Sequence, residues 1–129
     1  MPEFHFNQDE GLIICHARIS RGSLFTYVPL ILDTGATTTI ISLKAARRIG
    51  LLADLSPYKT ILTTSWNKEA CSDAILPGLS CLGMTRRNLR VICHDIPPGS
   101  RAEGLLGLNF FKNTNLNIEF PKGLVSITK

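Results

Sequence analysis

Short apolar segments rich in β-branched residues follow one another along almost the whole chain, separated by turns that contain Gly, Pro, Asn or Ser. Such runs between turn residues are typical of β-strands. Apolar residues recur at helical spacing only over 43–49 and in the second half of 104–113. Because chains with many short strands and few helices form barrels or sandwiches, we predict a mainly β fold with two short helices.

The strand-like segments are predicted to pair as hairpins. Their strands are 12–19 with 24–32, 58–66 with 70–76, 79–84 with 89–96, and 116–120 with 124–128; their turns are 20–23, 67–69, 85–88 and 121–123. A further strand is expected over 37–41 and a loop over 97–103. Pro29 indicates an edge position or a bulge, because proline cannot donate a hydrogen bond to a ladder. Pro77 and Gly78 are expected to break the chain between two hairpins.

The first helix has recognisable ends. Ser42 is a good N-cap for the segment 43–49, and Gly50 supplies the stop. A second short helix is expected after an apolar turn at 104–107. No linker, composition shift or low-complexity segment divides the 129 residues, so we predict one domain, 1–129.

The charge of the chain is mildly basic, with a formal net charge of +4 and a pI near 9.1. Arg86, Arg87 and Arg90 form the densest basic cluster. Proteins that bind single-stranded nucleic acid interleave such cations with aromatic residues, and this cluster contains none. We therefore predict a solvated surface here rather than a nucleic-acid site.

Apolar stretches stay well short of the roughly 20 residues that a membrane span needs. No signal-peptide pattern opens the chain either, so we expect a cytoplasmic protein without a membrane partner. The four cysteines are then expected to be reduced, buried thiols: Cys15, Cys71, Cys81 and Cys93.

Two Cys-His doublets raise the alternative of thiol or metal chemistry. They are Cys15-His16 and Cys93-His94. Adjacent residues of a strand point to opposite faces, so neither doublet can act as a pair. Cross-pairing of the two doublets stays open, but their spacing matches no common zinc pattern. We expect neither a metal nor a cofactor.

The stretch LILDTGATTTI, residues 30–40, places an acid at the end of an apolar run. An ionised carboxylate near a core is costly to desolvate. Asp33 therefore either caps a turn or stands at a site where a carboxylate does chemistry. The segment GLLG at 104–107 echoes this stretch, since both have two apolar residues before a glycine and a helix soon after.

In combination, these motifs resemble the retropepsin-like aspartic proteases. The likeness is carried by ILDTGA at 31–36 with the β-branched run after it, by GLLGLNFF at 104–111, and by a spacing that leaves room for a flap hairpin. It covers roughly 12–128. The closing LNIEFPKGLVSI looks more like the bacterial and ubiquitin-linked relatives than the short retroviral tail.

The resemblance implies an acid-protease fold, a closed or partly open β-barrel with a flap hairpin. It implies that Asp33 is the catalytic carboxylate and that the Thr34 hydroxyl bonds across a dimer axis. Gly35 would then point its N–H at the carboxylate, and Ala36 would leave room for substrate.

Two further segments take roles from the same resemblance. The second glycine turn, made of Gly104, Leu105, Leu106 and Gly107, would pack beneath the loop that holds the acid. The flap would span about 58–76, with Trp66, Asn67 and Lys68 near its tip. For Trp66 a core or interface position is the open alternative to contact with substrate.

Only one Asp-Thr-Gly occurs in the chain. Hydrolysis of a peptide bond without metal or covalent nucleophile needs a base and an acid, which two close carboxyls supply by sharing one proton. The second carboxyl would have to come from another chain, so we predict a homodimeric aspartic endopeptidase acting on extended peptides or polyproteins. Because the flap tip contains no glycine, the alternative is a dimeric peptide-binding or regulatory domain with little or no protease activity.

Overall fold

The fold of the chain is mainly β. The computed structural model describes residues 3–53, 59–63, 68–97 and 99–129. In these it has β1 (Phe4–His5), β2 (Ile14–Arg21), β3 (Leu24–Leu32), β4 (Thr39–Ile41), α1 (Leu43–Arg48), β5 (Lys59–Thr63), β6 (Lys68–Cys81), β7 (Met84–Cys93), β8 (Gly104–Leu106), α2 (Leu108–Phe111), β9 (Asn115–Glu119) and β10 (Leu124–Thr128), with a 3-10 turn over Gln8–Glu10. The predicted fold class, including two short helices, is confirmed.

Six strands close into a barrel. They lie in the order β2-β3-β8-β4-β7-β6, and β2 pairs with β6 to complete the circle, Ile19 opposite Leu79. β5 pairs antiparallel with the first five residues of β6, Lys59 opposite Ser72 and Thr63 opposite Lys68. The chain ends form a separate small sheet in the order β1-β10-β9. None of the helices in the part described here is long and apolar enough to cross a membrane.

The barrel interior is the hydrophobic core. Its fully buried large side chains include Ile19, Val28, Leu30, Ile41, Leu76, Leu79, Val91, Leu106 and Phe110. Each such residue contributes roughly 1.5–3 kcal/mol when it leaves water. Because β8 and α2 both contribute to this core, the second glycine motif is anchored by burial on either side of its last glycine.

The four cysteines are free and buried, as expected. Cys15 is buried while its neighbour His16 is exposed, so the doublet is divided between two faces of β2. The Cys81 thiol forms a hydrogen bond with Cys15 and is buried, and both effects raise its pKa. Cys81 therefore keeps its proton at neutral pH, which removes it as a thiolate nucleophile.

Helix α1 begins as predicted. The Ser42 Oγ accepts from the Ala45 N–H at 3.0 Å, and the Asp95 carboxylate accepts from the Leu43 N–H at 3.1 Å. Near its other end, Arg48 forms two 2.9 Å bonds to the carboxylate of Glu103, the residue before β8. The helix is thereby tied to the segment that leads into the second glycine motif.

The expected break at Pro77 and Gly78 is wrong, because β6 runs through both residues. Pro77 has no register partner, so its missing N–H costs the ladder little. A Cβ on Gly78 would lie 2.5 Å from the Ser20 Oγ. Gly78 is therefore the place where β2 approaches β6 closely enough to close the barrel.

The turn predicted at 85–88 is also wrong, since those residues lie inside β7. The chain turns at Leu82 and Gly83, whose φ angles are 53° and 76°. Two positive φ angles in a two-residue connection are typical of the tight turn that matches strand twist. Leucine rarely adopts this conformation, but Leu82 buries its side chain in the core.

The edge position or bulge predicted from Pro29 is wrong, because Pro29 lies inside β3, between β2 and β8 in the sheet order and in unbroken register with β2. It is opposite His16 of β2, and its carbonyl accepts from the Glu103 N–H at 2.8 Å, just before β8 begins. The nitrogen without a proton therefore faces the side on which β3 has no strand partner at this level. The predicted apolar turn at 104–107 is in fact β8 followed by Gly107, which precedes α2.

Candidate active site

Asp33 is the first residue of the loop that leaves β3. Its N–H donates to the Leu106 carbonyl of β8 at 3.0 Å, and its own carbonyl accepts from the Ala36 N–H at 3.1 Å. The main chain at Asp33 is thus held by a neighbouring strand on one side and by its own turn on the other.

The Asp33 side chain accepts a hydrogen bond from the Gly35 N–H, with 2.9 Å between Oδ1 and the nitrogen. The side chain is half-buried, and the next two residues are exposed. An N–H that donates to a carboxylate forms one of the stronger hydrogen bonds in proteins. The carboxylate is therefore oriented by the loop and still accessible for reaction.

The two similar sequence motifs lie side by side. Ile31 pairs with Leu105 and Leu32 with Leu106, with β3 parallel to β8. β8 also pairs with β4, antiparallel, Ile40 opposite Leu105. β8, which comes late in the sequence, therefore lies between β3 and β4, the strands before and after the Asp33 loop. Its pairing with both holds the two ends of the loop in place.

Gly107 is where the second motif meets the loop. A Cβ there would lie 2.7 Å from the Thr38 carbonyl carbon and 2.9 Å from the Ala36 carbonyl oxygen. Both are backbone atoms, which cannot rotate away. Leu108, which follows, donates its N–H to the same Ala36 carbonyl at 2.8 Å. This contact requires a residue without a side chain.

A polar network behind the loop joins it to the rest of the barrel. The Asn109 Oδ1 accepts from both the N–H and the hydroxyl of Thr39, each at 2.8 Å. The Asn109 Nδ2 donates to the Arg90 carbonyl at 2.6 Å. The Thr39 hydroxyl oxygen in turn accepts from the Gly107 N–H at 3.1 Å. One amide side chain thus links α2, β4 and β7.

Comparison with known proteins identifies this arrangement. A family model described as aspartyl protease matches residues 18–110, most of the chain and all of the loop, network and second glycine motif. The chain belongs to the aspartyl protease family. A search of the curated proteins found no match.

The aspartyl protease fold is also that of a solved bacterial structure. A retropepsin-like aspartic protease from Rickettsia conorii superposes with a TM-score of 0.71, over 98% of this chain and 92% of that one. The two sequences are 16% identical over the match. The likeness confirms the retropepsin-like fold that the sequence motifs imply.

The predicted site residues fall into two groups. Asp33, Gly35 and Ala36 lie together with the second glycine motif, as described above. Thr34 is exposed and forms no hydrogen bond within the described ranges, so its predicted bond across a dimer axis stays a prediction.

The flap residues form the second group. Thr63 of β5 pairs with Lys68 of β6. Lys68 and its neighbour Glu69 are therefore strand residues, so the turn predicted at 67–69 is wrong for these two. Trp66 and Asn67 lie outside the described residues, so their roles stay predictions.

Sequence reasoning missed Thr39, Asn109 and Arg90 as parts of the site. Thr39 is fully buried although it is polar, and its burial could not be predicted from the sequence pattern. The position of Asn109, two residues after Gly107, was the available signal. In the described residues there is no group of three or more His, Cys, Asp or Glu side chains that could hold a metal ion.

Replacing Asn109 by Asp keeps the size of the side chain but removes the donor to the Arg90 carbonyl. We expect the Asn109→Asp variant to lose about 2 kcal/mol of unfolding free energy at pH 7, because a carboxylate then faces a carbonyl oxygen. Facing the carbonyl raises the pKa of the new carboxyl, and protonation would restore the donor, so the deficit should shrink as the pH falls toward about 4 and stay small below it. Thermal denaturation of both proteins from pH 3.5 to 7 measures this difference. A deficit independent of pH would contradict the hydrogen-bond assignment.

Proposed function

We propose that this protein is an aspartic endopeptidase that acts as a homodimer, with one Asp-Thr-Gly loop from each chain. The observation that carries the proposal is the Asp33 carboxylate, held by the Gly35 N–H in an accessible loop. Its support is the aspartyl protease family match, which includes this loop.

The surroundings of Asp33 support a second chain as the source of the other carboxyl. Several acids of the described residues are already engaged elsewhere: Glu10 with Arg101, Asp73 with Arg90, Asp95 with the Leu43 N–H, and Glu103 with Arg48. A two-fold axis beside the loop would instead place Asp33 opposite its own copy.

Exposed apolar side chains near the loop suit such an interface. Leu108 follows Gly107 directly and is 46% exposed. Leu12 and Phe120 are also exposed, and they line a cleft of about 250 Å³ together with Ile31 and Leu32, the residues that lead into Asp33. Contiguous apolar surface of this kind is typical of contact sites between proteins.

Two Asp33 carboxyls in contact would share one proton, since like charges at that distance cannot both ionise. This is the established behaviour of aspartic-protease dyads. The ionised member removes a proton from water, which attacks the scissile carbonyl. The protonated member gives its proton to the carbonyl oxygen. When the tetrahedral intermediate breaks down, the leaving nitrogen takes the proton that the first member removed from water, and the other member takes back a hydroxyl proton of the intermediate, which restores the shared proton of the pair. The two titrations belong to the pair rather than to either residue.

The substrate class that fits is an extended peptide, free or within a polyprotein. It would lie between the Asp33 loop as floor and the β5–β6 hairpin as flap, with alternate side chains entering pockets.

Dilution tests the proposal. Specific activity on a mixture of internally quenched peptides should fall steeply below the concentration at which sedimentation shows the dimer dissociating. The physical reason is that each monomer holds half of the catalytic pair. The molecular mass and the activity are measured on the same samples.

Two results would contradict the proposal. Specific activity that stays constant while the dimer dissociates would show that one chain is sufficient. A dimer that binds extended peptides but cleaves none from pH 3 to 8 would favour the peptide-binding alternative.

A further inference from the structure

Arg90 of β7 contacts both segments that flank β7 in the barrel sheet. Its Nη2 and Nε lie 2.9 and 3.2 Å from the Asp73 Oδ2, on the flap strand β6. Its Nη1 lies 3.5 Å from the Thr38 Oγ1, in the loop that follows Asp33. One guanidinium therefore lies against both β6, a strand of the proposed flap, and the segment that follows Asp33.

The main chain of Arg90 lies at the same junction. β7 pairs with β6 on one side, Ile75 opposite Arg90, and with β4 on the other, Val91 opposite Thr39. The Arg90 carbonyl also accepts the Asn109 amide described above. Both the backbone and the side chain of this residue thus connect the flap to the active-site loop.

The ion pair between Arg90 and Asp73 is only partly buried. The Asp73 side chain is 18% exposed and that of Arg90 is 50% exposed. Screening by water limits the energy of such a pair, so its main effect is on position. A planar guanidinium has several donors at fixed angles and can serve two acceptors at once, whereas an ammonium group acts as a point charge.

We propose that Arg90 is a positioning residue whose guanidinium holds the Thr38 side chain, in the segment after Asp33, against Asp73 of β6, and thereby favours binding of the extended peptide. This inference rests on the proposed endopeptidase function. Arg90 does not contact the reacting atoms in this arrangement, so it acts on substrate binding rather than on the chemical step.

Two variants remove the contact from either side, Arg90→Gln and Asp73→Asn. Arg87→Gln is the matched control, because Arg87 lies on the same strand, is exposed and loses the same charge. For either test variant we expect KM to rise about fivefold, the size of one partly exposed ion pair, with kcat within about twofold of the wild type. The double variant should be no worse than the single ones, because they remove the same contact.

Hydrogen exchange provides a readout that does not depend on cleavage. In Arg90→Gln, the amides of 70–76 and 37–39 should exchange several-fold faster, while those of β2 and β3 stay unchanged. Arg90→Lys should give an intermediate effect on both KM and exchange, because it keeps the charge and loses the planar fork.

These measurements distinguish a positioning role of Arg90 from the alternatives. Kinetics and exchange of Arg90→Gln that match those of Arg87→Gln would overturn the inference, and so would a fall in kcat at unchanged KM. Exchange that rises evenly over the whole barrel would show a general stabilising role and would overturn it too. Local acceleration in a protein that cleaves no peptide, even as wild type, would support the positioning role while rejecting the endopeptidase function.

Discussion

Replacement of Asp33 by Asn is expected to lower kcat/KM for peptide cleavage by at least about 10³-fold, the contribution of a positioned general acid or base. An amide can neither accept the proton of the attacking water nor supply one to the substrate. The side chain stays the same size and still accepts from the Gly35 N–H. The loop, the fold and the dimer should therefore survive the change.

Three measurements together test this expectation. Internally quenched peptides give kcat/KM, sedimentation gives the mass, and thermal denaturation gives the stability. Asp9→Asn is the matched control, since Asp9 is an exposed acid in the 3-10 turn and loses the same charge. Cleavage by Asp33→Asn at the wild-type rate would show that this carboxyl is not catalytic.

Gly107→Ala is expected to cause a large loss of stability. The added Cβ would lie within 3 Å of backbone atoms of both Ala36 and Thr38. The φ of Gly107 is −94°, which any residue adopts, so the effect is purely steric. Forcing these backbones apart should cost about 3 kcal/mol, at the upper end for overpacking, and lower the Tm by roughly 10 °C. Activity should fall with it, because the displaced segment holds Asp33.

Gly22→Ala is the control for this prediction. A Cβ on Gly22 meets nothing within 4 Å, but its φ of 61° strains an alanine. We expect a loss of about 1 kcal/mol of unfolding free energy and unchanged activity. Two equally mild effects on stability, measured by chemical denaturation, would contradict the close approach at Gly107.

The candidate site was predictable where chemistry restricts residue type. Asp33 follows an apolar strand and precedes two turn residues, and this combination identified the loop. The echo between 31–35 and 105–107 was visible as two apolar residues before a glycine, and it corresponds to the parallel pairing of β3 with β8. The order of these strands in the barrel was not readable from the pattern, because β8 pairs with strands more than 60 residues away in the sequence.

Other features depend on tertiary contacts that override local preference. Pro77 and Gly78 have the composition of a break, yet they lie in a strand because the close approach of β2 favours glycine there. Leu82 turns in a conformation that leucine avoids, because its burial compensates. β1 escaped prediction because it has only two residues, and its pairing with β10 defines it.

The central claim, that two chains each contribute one Asp33 to a single site, is tested most directly by mixing subunits. Wild type and Asp33→Asn are combined in equal amounts, allowed to exchange subunits, and assayed at constant total concentration. Random pairing leaves about a quarter of the dimers with two intact loops. The activity should therefore be about 25% of that of an all-wild-type sample at the same total protein concentration. An activity of about 50% would show that each chain works alone and would contradict the shared site.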